Sequence, residues 1–191
     1  MNQSFLHNAH KQFLSYKNLG ELTISKLSDE QLHLEINKGV NSIVIIIQHL
    51  SGNMLSRFTD FLTTDGEKPW RMRDKEFETN QYSRKDLMEI WNSGWDCLLN
   101  TINNLNDADL SKEIFIRNEG HTVQEAFMRQ LCHYSYHIGQ IVMIGKICLG
   151  ENWKSLSIPP GKSDAFNKEK FSFFKIEADD MNEENKFKFL K

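Results

Sequence analysis

The chain has 191 residues, of which 39% are hydrophobic and 26% are charged, and its formal net charge is −3 at pH 7. This length suits one domain with a sizeable core. The slightly acidic charge balance does not indicate a protein that binds nucleic acid. The most apolar run, SIVIIIQHL, is too short to span a bilayer, and three cysteines without CxxC spacing indicate neither a disulfide framework nor a zinc ribbon, so we expect a cytoplasmic protein.

The spacing of apolar residues predicts two helices in the first third of the chain. The first covers roughly residues 4–26, with apolar residues at near-helical intervals. The second begins at Asn41 or Ser42, both of which are good N-caps, and continues to about Leu62. Its run VIII is β-branched and locally compatible with a strand, but the apolar pattern continues beyond it without a break, which favours a helix.

A long connection separates the second helix from the third. Residues 63–82 are rich in turn-forming and charged residues, and the third helix opens at Ser83 and runs through Ile102. Short links join antiparallel neighbours, whereas a long link can carry the chain from one end of a bundle to the other. We therefore predict an all-α four-helix bundle with a long crossover between helices 2 and 3, which would run parallel.

A short hairpin is predicted before the last helix of the bundle. The stretch EIFIRNEGHTV indicates two strands with their turn at Asn118–Gly120. A capping box at Thr122–Glu125 then marks the start of the fourth helix, which extends to about Leu149 and stops at Gly150. We expect this helix to run antiparallel to helices 2 and 3.

The C-terminal residues are assigned to an extension of the domain. We place the bundle in residues 1–165 and the extension in residues 166–191. The stretch WKSLSIPPGKSDAFNKEKFSFF is predicted to be an extended segment. The final stretch, EADDMNEENKFKFLK, is predicted to be a polar tail with one short docking helix around Phe187, Phe189 and Leu190.

Two histidines, His133 and His137, lie four residues apart near the middle of the predicted fourth helix. This spacing places two side chains on one face, ~6 Å apart at Cβ, which suits two imidazoles that bind one metal ion. His49 lies in the apolar second helix, at a level that antiparallel packing would bring opposite the pair. The three histidines form a plausible metal site, although core histidines that hydrogen-bond to their neighbours also fit this spacing.

Polar and small residues near the candidate ligands suggest how the site is built. Asn53 and Gln140 each lie about one helical turn from a candidate ligand, and ligand histidines usually donate their second N–H to a polar group. Gly52 and Gly139 lower the helix propensity of their segments. Close contact between helices near the metal is one reason for a glycine at these positions.

Basic and aromatic residues follow the second helix. Arg57, Arg71 and Arg73, together with Trp70, could form a mouth for an anionic substrate or thiol. Solvent-facing ion pairs with nearby acidic residues explain the same arginines equally well, and both interpretations stay open.

The chain resembles a known group of proteins in these features. His49 in an apolar helix, combined with H133YSYH137IGQI, resembles the DinB/YfiT-like superfamily. The stretch HLSGNMLSRFTDFLTTDGEKPWRMRDKEFE and the later SLSIPPGKS are similar to its DUF1572 family. The resemblance covers about residues 5–165, and it implies a four-helix bundle with a long crossover and a metal triad of His49, His133 and His137.

The resemblance also implies a class of function. Relatives in the superfamily include thiol-dependent S-transferases and hydrolases, so it implies a divalent-metal-dependent enzyme with nickel or zinc. The small-molecule substrate or cosubstrate would include a low-molecular-weight thiol such as bacillithiol, and the protein would be a homodimer with no nucleic-acid or membrane partner. The alternative is a non-catalytic metal-binding or dimerisation module.

Overall fold

A computed structural model describes residues 4–174 of the chain, and in this range the protein is mainly helical, as predicted. By its internal contacts the chain divides into two compact units, Met1–Glu151 and Asn152–Lys191. Within the described range, every helix is too short or too polar to cross a lipid bilayer. The elements are α1 (Phe5–Ile24), α2 (Asp29–His33), α3 (Ile43–Phe58), α4 (Arg84–Asn103), β1 (Glu113–Ile116), β2 (Glu119–Thr122), α5 (Val123–Leu149) and α6 (Ser163–Phe174), with 3-10 turns at Arg73–Phe77, Asp107–Asp109 and Gly150–Asn152.

Each of the four long helices begins at a hydroxyl side chain. In every case the oxygen accepts the backbone N–H three residues later, which satisfies one of the donors that the first helical turn leaves free. Such a cap contributes about 1 kcal/mol to the free energy of unfolding. The starts predicted at three of these caps are confirmed, and the four capping residues are Ser4, Ser42, Ser83 and Thr122.

Helix α3 ends at Phe58, before the predicted end at Leu62. The chain turns because Asp60 adopts a left-handed conformation with φ of 48°. Phe61 nevertheless stays buried, and its ring packs 5.3 Å from Phe58 and 5.4 Å from Phe127. The apolar pattern continues to Phe61 because this residue is buried in the core, although the helix has already ended.

Helices α3 and α4 run in the same direction. Ser51 Oγ donates to the carbonyl of Ile90 at 2.7 Å. Nearer the C-terminal ends of both helices, Thr101 Oγ1 donates to the carbonyl of Phe58 at 3.1 Å. Later residues of one helix thus meet later residues of the other. Residues 59–83 carry the chain back to the level at which α3 begins.

Helix α5 runs against α3. The hydroxyl of Tyr134 donates to Asn53 Oδ1 at 3.0 Å, whereas the earlier Phe127 stacks on the later Phe58, with ring centroids 5.6 Å apart. Phe127 and Tyr134 are fully buried. The middle of α5 consequently lies against the middle of α3, which is the level of the candidate ligands.

The hairpin of β1 and β2 turns at Arg117–Asn118, and the prediction of a turn at Asn118–Gly120 is wrong. Both turn residues are left-handed, with φ of 56° and 61°, as a two-residue hairpin turn requires. The carboxylate of Asp65 accepts the backbone N–H of Arg117 at 2.8 Å and that of Asn118 at 2.7 Å. This contact comes from a distant part of the chain, so the local sequence could not indicate it.

The described part of the C-terminal unit contains helix α6. The prediction of an extended segment is therefore wrong for residues 163–174. Pro159, Pro160 and a left-handed Gly161, with φ of 75°, keep the preceding residues out of a helix. No helix breaker follows them up to residue 174, and the ammonium of Lys170 lies 5.6 Å from the ring centroid of Phe166 one turn earlier. The predicted polar tail, with Phe187, Phe189 and Leu190, lies outside the described residues.

Gly94→Ala tests the close contact between α3 and α4. A Cβ at Gly94 would lie 2.7 Å from Ser51 Cα, so the two helix backbones would have to separate. We expect the free energy of unfolding to fall by about 2 kcal/mol in urea denaturation, because overpacking outweighs the better helix propensity of alanine.

Gly139→Ala is the matched control for that substitution. Gly139 is exposed in the interior of α5, and a Cβ there would have no neighbour within 4 Å. We expect this variant to be stabilised by up to ~1 kcal/mol. Equal stability changes in the two variants would contradict the close helix contact at Gly94.

Candidate metal centre

Three histidine side chains converge where α3 faces α5. His49 comes from α3, and His133 and His137 lie one turn apart on α5. The Nε2 atom of His133 is 3.4 Å from Nε2 of His49 and 3.1 Å from Nε2 of His137. The ligand nitrogens of all three lie within 4.8 Å of one another. The fold thus brings together the three histidines that the sequence predicted as a group.

Hydrogen bonds at the opposite ring nitrogens orient two of these imidazoles. His49 Nδ1 donates to Glu76 Oε2 at 2.9 Å, and His137 Nδ1 donates to Gln140 Oε1 at 2.8 Å. A neutral imidazole has only one N–H group. When that N–H is at Nδ1, as in His49 and His137, the Nε2 atom presents a lone pair to the cluster.

The donor set fits a divalent metal ion. His133 Nε2 can donate its hydrogen to the Nε2 atom of His49 or of His137, but not to both. With hydrogen bonds alone, the lone pair of the other Nε2 atom would therefore have no hydrogen to accept. A tetrahedral ion with metal–nitrogen bonds of about 2.0–2.1 Å separates its imidazole nitrogens by roughly 3.3 Å. His133 Nε2 lies 3.4 Å from His49 Nε2 and 3.1 Å from His137 Nε2, and all three ligand nitrogens lie within 4.8 Å of one another. Three neutral imidazoles suit zinc, nickel, copper or iron.

Burial keeps the α5 pair neutral at physiological pH. Desolvation, reinforced by the neighbouring His137 and His49, lowers the pKa of His133 to about 3. Burial likewise lowers the pKa of His137, although its hydrogen bond with Gln140 acts in the opposite direction. Because only a neutral imidazole can bind a metal, protons do not compete for these nitrogens near neutral pH.

Glu76 connects the cluster to a buried arginine. It lies in the 3-10 turn Arg73–Phe77, and Arg71 donates to both of its oxygens, from Nε at 2.7 Å and from Nη2 at 2.9 Å. The side chain of Arg71 is only 2% exposed and that of Glu76 only 10%. Burial alone would raise the pKa of Glu76, but the hydrogen bonds from His49 and Arg71 outweigh it and the pKa is lowered. Glu76 is therefore an ionised acceptor that fixes the His49 ring.

The two glycines near the ligands have different surroundings. A Cβ on Gly52 would collide with the carboxylate of Glu76, so the missing side chain leaves space for that group. A Cβ on Gly139 would meet nothing within 4 Å. Close approach thus explains Gly52, where the neighbour is Glu76 and not a helix, and does not explain Gly139.

A cavity of about 360 Å³ adjoins the histidine cluster. His49 and His133 form part of its wall, and the other lining residues carry positive charge or an amide. Among residues 4–174, no acidic side chain lines it. The remaining lining residues are Asn53, Arg57, Arg71, Arg73, Arg117, Arg129 and Gln130.

The other predicted site residues are placed as follows. Gln140 orients His137, and Asn53 lines the cavity while its amide oxygen accepts from the Tyr134 hydroxyl. Arg57 and Arg71 line the cavity and are almost fully buried. Trp70 is not among the cavity residues, since it is 54% exposed and lines shallower pockets on the crossover.

Several residues of this region were not indicated as site residues by the sequence. Arg129 lies four residues before His133, so helical spacing on α5 could have identified it. Glu76 and Arg117 lie in a crossover and a hairpin turn, where no periodicity shows which way a side chain points. Their positions depend on contacts with segments that are distant in sequence.

Comparison with known proteins gives one match. A family model described as a protein of unknown function (DUF1572) matches residues 1–162. The matched range contains the three histidines, Glu76 and every residue that lines the cavity. No curated protein and no solved structure matches the chain.

Glu76→Gln tests the support of His49. Glutamine keeps the size of the side chain but removes the charge that holds both the His49 N–H and Arg71. We expect the affinity for Zn²⁺, measured by competition with a chromophoric chelator, to fall 10–100-fold. The exposed Glu89→Gln on α4 is the control and should bind as wild type does. Wild-type affinity in a folded Glu76→Gln variant would contradict this role.

Proposed function

We propose that this chain, which belongs to the DUF1572 family, is a divalent-metal-dependent enzyme that acts on a small molecule. The observation that carries the proposal is the convergence of three imidazole Nε2 atoms at the wall of a cavity. Catalytic metal sites keep three protein ligands and an open position, whereas structural sites are closed by a fourth ligand. Nickel and zinc are the metals that we propose.

We propose either thiol-dependent S-transfer or hydrolysis as the reaction class. A divalent ion held by the three histidines would supply a Lewis acid that lowers the pKa of water or holds a low-molecular-weight thiol, such as bacillithiol, as the thiolate. Glu76 and Gln140 hold the rings in the orientation that this requires. None of the cavity-lining side chains is a cysteine, so in S-transfer the thiol would come from a second small molecule.

The proposal extends to the fold family. Four long helices, in which α3 and α4 run parallel and α5 runs against them, support a four-helix bundle with a long crossover of the DinB/YfiT-like type. A cytoplasmic location, which the cysteine pattern favours, and a homodimer, which the resemblance to that superfamily implies, both stay predictions.

Metal content per chain tests the metal site directly. We expect about one divalent ion per untagged wild-type chain by inductively coupled plasma mass spectrometry, after incubation with Ni²⁺ or Zn²⁺ and removal of the excess. His133→Ala should retain almost no metal, because only two of the three imidazoles remain to hold the ion. His7→Ala, which removes an exposed histidine on α1, is the control and should retain the wild-type amount. Equal low content in all three would contradict the site.

An exogenous ligand tests whether the metal is open to substrate. We expect the absorption spectrum of the Co²⁺ or Ni²⁺ protein to shift when cysteine or azide is added, because a three-histidine site has a free coordination position. His137→Ala should abolish the shift together with any thiol addition to an electrophile. A metal-loaded protein whose spectrum does not change would favour the alternative, a non-catalytic metal-binding or dimerisation module.

A further inference from the structure

We propose that the cavity beside the histidines binds a small oxyanion, a carboxylate or a phosphate, which also carries an O–H or N–H group. Its charge is held by Arg73, Arg117 and Arg129, and its hydrogen-bond donor is taken by Gln130. The inference rests on the proposed function, because it names the substrate class of that same site.

Arg57 and Arg71 lie on the buried side of the cavity, whereas Arg117 is 56% exposed, and these three cations outnumber the carboxylates paired with them. Glu67 Oε2 lies 3.1 Å from Arg57, 3.0 Å from Arg117 and 3.7 Å from Arg71. Glu76 is the only other carboxylate paired with these three guanidinium groups among the described residues, and it also accepts from His49. Three cations therefore share two carboxylates before any metal ion adds to the positive charge.

The outer wall holds two more cations whose pairing is weak. Arg73 and Arg129 are about half exposed, at 50% and 51%, and their ion-pair contacts with Asp74 and Glu119 are both 3.9 Å long. This distance is too long for a hydrogen bond, and such exposed pairs contribute little. Their guanidinium groups are thus available to donate to a ligand that enters the cavity.

Arg117 occupies a backbone position that arginine rarely takes. The hairpin turn requires positive φ at this residue, and glycine, asparagine and aspartate are the residues that usually supply it. Another residue is strained there, and the carboxylate of Asp65 supports the turn by accepting the backbone N–H groups of Arg117 and Asn118. The side chain lines the cavity, which accounts for an arginine at a strained position.

Gln130 lines the cavity and carries a buried acceptor without a hydrogen-bond partner among the described residues. The residue is 3% exposed, and its Oε1 accepts no hydrogen bond from the described residues. A buried polar group without a hydrogen-bond partner destabilises the folded protein. A ligand that carries an O–H or N–H group beside its negative charge would satisfy this atom.

The size of the cavity limits the ligand to a small molecule. Its volume of about 360 Å³ lies at the lower end of the range for small-molecule sites. The whole chain has a net charge of −3, so it offers no overall positive charge to a polyanion.

Calorimetric titration of the full-length chain tests the anion site, with metal removed by a chelator so that no probe binds through a metal. The probes are inorganic phosphate and malonate at low ionic strength, and the tighter binder tells phosphate from carboxylate recognition. We expect both to bind wild type, and the dissociation constant to rise tenfold or more in Arg73→Gln/Arg129→Gln. The control Lys38→Gln/Lys85→Gln removes two exposed charges outside the cavity and should change it less than twofold.

A second pair of probes tests the acceptor. Hydroxymalonate differs from malonate by one hydroxyl group, so wild type should bind hydroxymalonate more tightly. Gln130→Met should remove this preference, so that hydroxymalonate binds no more tightly than malonate, because methionine has a similar length but accepts only weakly.

Two results would overturn the inference: no probe binds the wild-type chain, or the arginine double variant binds as tightly as wild type. Metal content, measured on the same preparations, separates this failure from that of the proposed function. A chain that takes up metal but no anion overturns the anion site alone. A chain that binds the anions but takes up no metal overturns the proposed function and supports the anion site.

Discussion

The carboxylate of Glu76 is the group on which the rest of the candidate site depends. It receives two hydrogen bonds from the buried guanidinium of Arg71 and one from the imidazole of His49. Each of these three groups would be costly to bury alone. Together they anchor the crossover to α3, and that anchoring gives the cavity one of its walls. The same charged contacts therefore fix both the fold of the crossover and the orientation of the His49 ring.

The features that local rules govern could be predicted from the sequence. A capping side chain acts on the backbone three residues away, so Ser42 and Thr122 mark helix starts that the structure confirms. His133 and His137 share a face because four residues make about one helical turn. His49 could be added only because apolar runs predict packed helices and long connections predict their direction.

The features that depend on distant contacts could not be predicted. The end of α3 is set by the turn at Asp60 while the apolar pattern runs on, and the hairpin turn is fixed by Asp65, which lies more than fifty residues away. Glu76 lies in a charged connection where any of several acidic residues could have faced inward. Helices with regular periodicity place the histidines, and irregular segments add Arg71, Glu76 and Arg117 around them.

The order of the ligands along the chain also determines when a metal could be taken up during protein synthesis. His49 and His133 are separated by 84 residues, and the crossover, α4 and the hairpin all lie between them. Of the three candidate ligands, a growing chain carries only His49 until α5 is synthesised, and most of the described residues come before the end of that helix. Occupancy of the site would therefore report that the domain is complete, and a fragment truncated before α5 could not sequester the ion.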